Sequence, residues 1–278
     1  MRWRSGLFVP ADREETALKL PRSKPDYGVL DLEDGVAGAS KAVARECLAR
    51  LVPVLAEQMP IVVRINGVHT EHFAADVRSL PQGIAAVMVP KVESRDDVEK
   101  VAGALDATGH DAMAIVAGFE TVAGVEYCRE SLGERVVACY FGAEDYIADL
   151  GGVRTPESTE VLYPRSRVAM AARLAGSVAL DQIVADFTAD DLLERDARLG
   201  RSLGYSGKLC IHPTQVSIVN AAFSPSRAEI DRAQRLVAAF EKAQHEGRGA
   251  VAFEGQMIDE PLVRQAWALL ARVDEPDR

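Results

Sequence analysis

The 278-residue sequence is short of several features that would narrow its function at once. No uninterrupted apolar run approaches the ~18 residues that a membrane span needs. The amino terminus, Met1-Arg2-Trp3-Arg4-Ser5-Gly6-Leu7-Phe8-Val9-Pro10, has too short an apolar stretch for a signal peptide. Cysteine is scarce. The four residues Cys47, Cys128, Cys139 and Cys210 are far apart with no CxxC, which leaves no thiol zinc site and suits a reduced, cytoplasmic setting. Cys139 and Cys210 sit inside apolar runs and read as core. Positive charge is also lacking: 32 Lys and Arg stand against 42 Asp and Glu, a formal charge of −10. That balance argues against a nucleic-acid surface. It does not argue against an anionic small substrate, because a site needs only a few local positive groups. There is no internal repeat and no low-complexity tract.

Hydrophobic residues make up 48% and charged residues 27%, as in an ordinary globular chain. Short apolar runs recur at 6–10, 27–32, 61–65, 85–89, 112–119, 136–141, 179–186 and 208–211. Most are apolar throughout and rich in β-branched residues, which suits parallel strands buried on both faces. Their starts lie typically about 27 residues apart, the length that one strand and one returning helix need. The segments between read as helices. The span 39–55 carries Val43, Cys47, Leu48, Leu51 and Leu55 at helical spacing, with Pro53 expected to bend or shorten its end. The span 94–105 opens with Ser94 and Asp97, close to a capping box. The span 159–175 places Val161, Leu162, Val168 and Leu174. Ser226 with Glu229 is a capping box before Ile230, Ala233, Val237 and Phe240. Eight such units predict a (β/α)8 TIM barrel over residues 1–225. A doubly wound open sheet is the rival, but no G-x-G-x-x-G follows the first strand. Residues 226–278 exceed the barrel count and form an extension ending in a helix over 262–273.

Barrel chemistry sits at the C-terminal ends of the strands, and there the runs end in ionisable residues. These ends are Asp31-Leu32-Glu33-Asp34-Gly35, Arg64-Ile65-Asn66, Lys91-Val92-Glu93, Glu120-Thr121, Glu144-Asp145 and His212-Pro213. Glu120 and Asp145 stand 25 residues apart, one β/α unit, so they fall at the same end of neighbouring strands. Two carboxylates without His or Cys partners suit Mg²⁺, which keeps waters and takes other ligands from substrate. They also suit ion pairs or helix starts, and spacing alone does not choose between the readings. Arg64 ends an apolar run. It can aim a planar fork at a substrate carboxylate, or pair with Glu33, Asp34 or Glu93. Lys91 can neutralise Glu33 or Glu93, or serve as a Schiff-base nucleophile. His69 and His72 form an H-x-x-H without a third ligand and read as loop residues. His212 is left without a role.

Taken together, these pieces resemble the citrate lyase beta-subunit-like branch of the HpcH/HpaI aldolase superfamily. The resemblance rests on Arg4-Ser5-Gly6-Leu7-Phe8-Val9-Pro10-Ala11-Asp12, Leu30-Asp31-Leu32-Glu33-Asp34-Gly35-Val36, Val63-Arg64-Ile65-Asn66, Val89-Pro90-Lys91-Val92-Glu93, Glu120-Thr121, Phe141-Gly142-Ala143-Glu144-Asp145 and Cys210-Ile211-His212-Pro213. Phe253-Glu254-Gly255-Gln256-Met257-Ile258-Asp259-Glu260-Pro261 extends it to the last segment. One departure is Gly118-Phe119 before Glu120, where a more aliphatic pair is expected.

The resemblance implies a TIM barrel assembled as a homotrimer or a multiple of it. It implies Mg²⁺, with Mn²⁺ as a substitute, held by Glu120 and Asp145. Arg64 is implied to bind the substrate's acid or carbonyl group, and Glu33 and Asp34 to hold metal-bound waters. Asp259 is implied to reach a neighbouring subunit's mouth as the acid/base, which makes 226–278 a lid and favours the CoA-thioester branch. The expected activity is reversible cleavage of a 3-hydroxyacyl-CoA of the citramalyl-CoA or malyl-CoA type into an acyl-CoA and a 2-keto acid, pyruvate or glyoxylate. Arg13, Lys41 or Arg45 are candidates to meet the CoA phosphates. The rival readings are a malate- or citramalate-synthase-like condensation with thioester hydrolysis, a citrate lyase beta subunit acting on an acyl-carrier-protein thioester in a complex, and a non-catalytic binding barrel. No membrane or nucleic-acid partner is expected.

Overall fold

The computed structural model describes residues 1–272. Eight parallel strands close into a barrel: β1 (Ser5–Pro10), β2 (Tyr27–Asp31), β3 (Ile61–Arg64), β4 (Ala86–Val89), β5 (Ile115–Phe119), β6 (Val136–Phe141), β7 (Val178–Asp181) and β8 (Gly207–Cys210). β8 closes on β1, with Ser5 opposite Lys208 and Leu7 opposite Cys210. Each strand matches an apolar run, but two runs overreach. β5 starts at Ile115 rather than 112, and β7 stops at Asp181 rather than 186.

Alternation along each strand sorts the side chains into two layers. Tyr27, Val29, Val62, Met88, Val116, Ala138, Tyr140, Leu180 and Leu209 fill the barrel interior. Their neighbours, such as Leu30, Val63, Val89, Ala117 and Cys139, pack against the surrounding helices. The same period of two places the functional side chains. Asp31 continues the inward set of β2, Arg64 that of β3, and Glu120 that of β5.

The helix Lys41–Ala56 runs through Pro53 rather than stopping there. Ser94 and Asp97 form a complete capping box on the helix Arg95–Asp106. In the helix Leu162–Ala175, Val168 is buried but Leu162 and Leu174 are exposed. Its inner face instead carries Arg165, which is fully buried. After β8, Pro213 opens a further helix, Pro213–Phe223, that the sequence pattern did not separate from the connection. Proline is well tolerated at such a first position, where an amide N–H would go unbonded anyway.

Among the described residues, no helix is long and apolar enough to cross a membrane. All four cysteines are buried and free.

The chain divides into two compact units between Phe223 and Ser224. In the second unit, Ser226 and Glu229 form both bonds of a capping box on the helix Arg227–His245. An antiparallel hairpin follows: β9 (Val251–Phe253) and β10 (Gln256–Ile258). Its turn residues Glu254 and Gly255 both take positive φ, 48° and 80°, the backbone of the tight two-residue hairpin turns. The last helix is Glu260–Ala271. The expected end of that helix at Val273, and the rest of the 226–278 extension beyond Arg272, lie outside the described residues. Leu236, Phe240, Ile258, Val263 and Ala266 form this unit's own small core.

Candidate active site

Asp31 and Arg64 are directly opposite in the β2–β3 register. Arg64 donates from Nε and Nη2 to the two Asp31 oxygens, each at 2.7 Å, a bidentate fork. Asp31 also accepts from the amides of Glu33 (2.9 Å) and Gly35 (2.8 Å), so it shapes the loop after β2. A Cβ at Gly35 would come within 2.6 Å of Asp31 Oδ2, so that turn needs glycine. Glu33 Oε2 lies 2.9 Å from Arg64 Nη1. The pair is a close ion contact, yet Oε2 forms no aligned hydrogen bond. The guanidinium packs 4.7 Å over the Phe8 ring. Burial works against the Arg64 charge, but Asp31 and Glu33 outweigh it and keep the group protonated.

Lys91 follows β4 with a left-handed backbone, φ 53°, unusual for a residue other than glycine. That turn aims its amide at Glu120 Oε1, at 2.9 Å. Its ammonium lies 2.6 Å from Glu33, 3.6 Å from Asp34 and 3.5 Å from Asp145. Burial lowers the Lys91 pKa, but Glu33, Glu120 and Asp145 more than reverse that and hold the amine protonated. A protonated amine is no Schiff-base nucleophile.

Glu120 is buried at the end of β5 and also accepts from Tyr140 Oη at 3.2 Å. Burial pushes its carboxyl up to about 8, and the charges of Glu33 and Asp145 add to the rise against the pull of Lys91 and Arg64. Burial raises Glu33 as well, despite the two bases beside it. Five carboxylates, Asp31, Glu33, Asp34, Glu120 and Asp145, thus share two bases, Arg64 and Lys91. That unspent negative charge fits a hard divalent cation. Glu120 and Asp145 are the residues that could hold one. Among the described residues no three His, Cys, Asp or Glu side chains converge as a full ligand set. A two-carboxylate site suits Mg²⁺, which takes its remaining ligands from water and substrate.

Two expected phosphate contacts are committed elsewhere. The Lys41 ammonium is buried and donates to Leu32 O (2.7 Å), Glu33 O (2.8 Å) and Asn66 Oδ1 (2.7 Å). Arg45 pairs with Asp76 at 2.9 Å, and Asp76 in turn holds Asn66. Arg13 is different. It lines a cavity of about 450 Å³ at the C-terminal ends of β1 and β8, together with Phe8, Lys19, Arg22 and His212. Lys19 and Arg22 were not singled out from sequence, although three bases within ten residues were there to see. His212 stacks on Phe187, with ring centroids 4.7 Å apart. His69 instead meets Asp97 at 2.8 Å, and His72 lies 4.0 Å from Glu71.

Asp259 belongs to the second unit, as the residue before the helix Glu260–Ala271. Its side chain makes no capping hydrogen bond, although aspartate at that position usually does.

Fold and mouth together define a (β/α)8 barrel with an acidic, undercompensated cluster at its C-terminal face, where barrel enzymes carry their active sites. A family model described as HpcH/HpaI aldolase/citrate lyase matches residues 4–213, and the chain belongs to that family. A citrate lyase subunit beta-like protein from Deinococcus radiodurans is 45% identical over 274 residues, 96% of each chain. The mitochondrial citramalyl-CoA lyase of Homo sapiens is 34% identical, covering 95% of this chain and 83% of that protein. Among solved structures, CitE from Mycobacterium tuberculosis in complex with magnesium, acetoacetate and coenzyme A superposes with a TM-score of 0.86, at 35% identity and 99% coverage of both chains.

Proposed function

We propose that this protein is a Mg²⁺-dependent carbon–carbon lyase. Its substrate is a 3-hydroxyacyl-CoA of the citramalyl-CoA or malyl-CoA type, and its products are an acyl-CoA and a 2-keto acid. The relatives named for citramalyl-CoA cleavage and for magnesium with coenzyme A support the class. The observation that carries the reading is the unbalanced mouth, where buried Glu120 and half-exposed Asp145 lie beside a rigidly forked Arg64.

Glu120 and Asp145 would hold Mg²⁺, which supplies Lewis-acid stabilisation of the oxygen that becomes the keto group. Arg64 is fixed by Asp31 and spends only two of its five N–H donors there, so others are left for the substrate's carboxylate or the developing negative oxygen. As the C2–C3 bond breaks, the hydroxyl releases its proton to water and its O–H electrons form the keto C=O, the C2–C3 electrons pass to the thioester enolate, and Asp259, starting protonated, delivers a proton to the enolate carbon. In condensation the same carboxylate removes it. Asp259 is supplied by a neighbouring copy in a homotrimer, with residues 226–278 acting as the lid. Its carboxylate, uncommitted to its own helix, is available for that work. Lys91 neutralises Glu33 and orients Glu120 through its amide. The cavity walled by Arg13, Lys19 and Arg22 takes the CoA phosphates.

A mass-spectrometric assay of the purified protein tests this. A panel of 3-hydroxyacyl-CoAs is offered with Mg²⁺ or with excess chelator. The expected result is Mg²⁺-dependent release of acyl-CoA plus a 2-keto acid. Full turnover in chelator, or free CoA as the product, contradicts the reading.

A further inference from the structure

Glu120 does not present its two oxygens equally. Oε1 accepts the Lys91 amide at 2.9 Å and the Tyr140 hydroxyl at 3.2 Å. Oε2 accepts no hydrogen bond among the described residues, and an added Cβ on Gly142 would come within 2.4 Å of it. Gly142 therefore keeps the Oε2 side clear.

Tyr140 is held just as specifically. It is 2% exposed, inside the barrel, and opposite Gly118 in the β5–β6 register. A Cβ at Gly118 would lie 2.4 Å from the Tyr140 ring and hydroxyl, so only glycine admits the phenol there. Glycine inside a strand often marks such a close approach. This gives Gly118, where a more aliphatic residue was expected from the sequence, a structural reason. The barrel holds a second Gly–Tyr pair for comparison. Gly6 faces Tyr27 across β1–β2, and a Cβ there would lie 2.3 Å from the ring. Tyr27 Oη is buried without a hydrogen-bond partner. A phenol in this interior is thus not automatically bonded, and the Tyr140 bond to Glu120 sets it apart.

We propose that Tyr140 is a positioning residue. With the Lys91 amide it ties down Glu120 Oε1 and leaves Oε2 as the oxygen offered to a divalent cation. Groups that orient a metal ligand in this way typically govern metal affinity by 10–100-fold. The 3.2 Å bond is long for O–H···O, which places Tyr140 at the low end of that range. The inference rests on the Mg²⁺ reading above.

The test is calorimetric titration of Mg²⁺ in the presence of pyruvate into the wild type, Tyr140→Phe and Tyr27→Phe, with melting temperatures taken in chelator. Tyr140→Phe is expected to weaken Mg²⁺ binding about tenfold while melting in chelator no lower than the wild type. Its kcat recovers at saturating Mg²⁺. Tyr27→Phe leaves the affinity unchanged. Wild-type affinity in Tyr140→Phe overturns the positioning role alone. So does an affinity loss matched in Tyr27→Phe or accompanied by a lower melting temperature in chelator. No Mg²⁺ binding by the wild type overturns the metal reading and this inference together.

Discussion

The barrel contains two ionic clusters built on opposite principles. Between β7, β8 and the surrounding helices, Arg165 and Lys208 meet Asp181 and Asp196. Arg165 lies 2.5 Å from Asp181 and 2.9 Å from Asp196, and Lys208 lies 2.9 Å from Asp181 and also contacts Asp196. Two bases answer two acids, and every side chain is at most 7% exposed. Gly200 makes the room, since a Cβ there would touch Asp181 at 2.4 Å. At the mouth, five acids face two bases. The carboxyl groups register the contrast. Burial would raise Asp196, but Lys208 and Arg165 hold it below its usual value. Burial raises Glu33 and Glu120 and their neighbours do not compensate. A structural network closes its own charge, whereas the mouth leaves charge for something else to answer.

Breaking each cluster separates the two roles. Glu120→Ala is expected to abolish Mg²⁺ binding and cut turnover by about a thousandfold or more, roughly 4 kcal/mol of barrier. The fold survives, because an undercompensated buried carboxyl has been removed. Asp259→Asn is expected to lose most turnover, on the order of a hundredfold or more, while keeping Mg²⁺ and 2-keto acid binding. Normal turnover would exclude the lid assignment. Lys208→Met is expected to do the reverse of Glu120→Ala. It leaves two buried carboxylates with one base and costs about 3–4 kcal/mol in denaturant melts, with Mg²⁺ affinity retained.

The smallest effect is in pH dependence, where the two clusters carry opposite signs. Asp196 has a lowered folded pKa. Its stabilisation is present above its unfolded value of 3.8 and is lost as pH falls through the folded value. Glu120 has a raised one, from 4.5 to about 8. Its contribution is full below 4.5 and declines as pH rises through about 8. Melting curves against pH in chelator should lose the acid limb of this pattern in Asp196→Asn and the alkaline decline in Glu120→Gln.

How much of this could be read in advance follows from how far each contact reaches. Strand ends are local, so apolar runs with ionisable terminators placed Glu33, Arg64, Lys91, Glu120 and Asp145 at one mouth. Partner choice is not local. Arg64 pairs with Asp31 because β2–β3 register sets them opposite, and nothing in either run specifies that register. Tyr140 and Gly118 belong together for the same reason. Arg165 sits in a helix whose apolar spacing pointed to Leu162 and Leu174, yet the buried charge network turned its inner face towards the barrel. Lys41 was expected to meet the CoA phosphates, yet its ammonium binds two carbonyls of the β2 loop, a contact that nothing near it in sequence announces. The hairpin turn at Glu254-Gly255 was legible in principle, since glycine marks the positive φ that such a turn needs.

The mouth's excess negative charge, on this reading, is a Mg²⁺ site. Calorimetric titration of Mg²⁺ with pyruvate present tests it most directly, comparing wild type, Glu120→Ala and Lys208→Met. One Mg²⁺ per chain is expected in the wild type, none in Glu120→Ala, and near-wild-type affinity in Lys208→Met. Absence of binding in the wild type, or binding that survives Glu120→Ala, would contradict it.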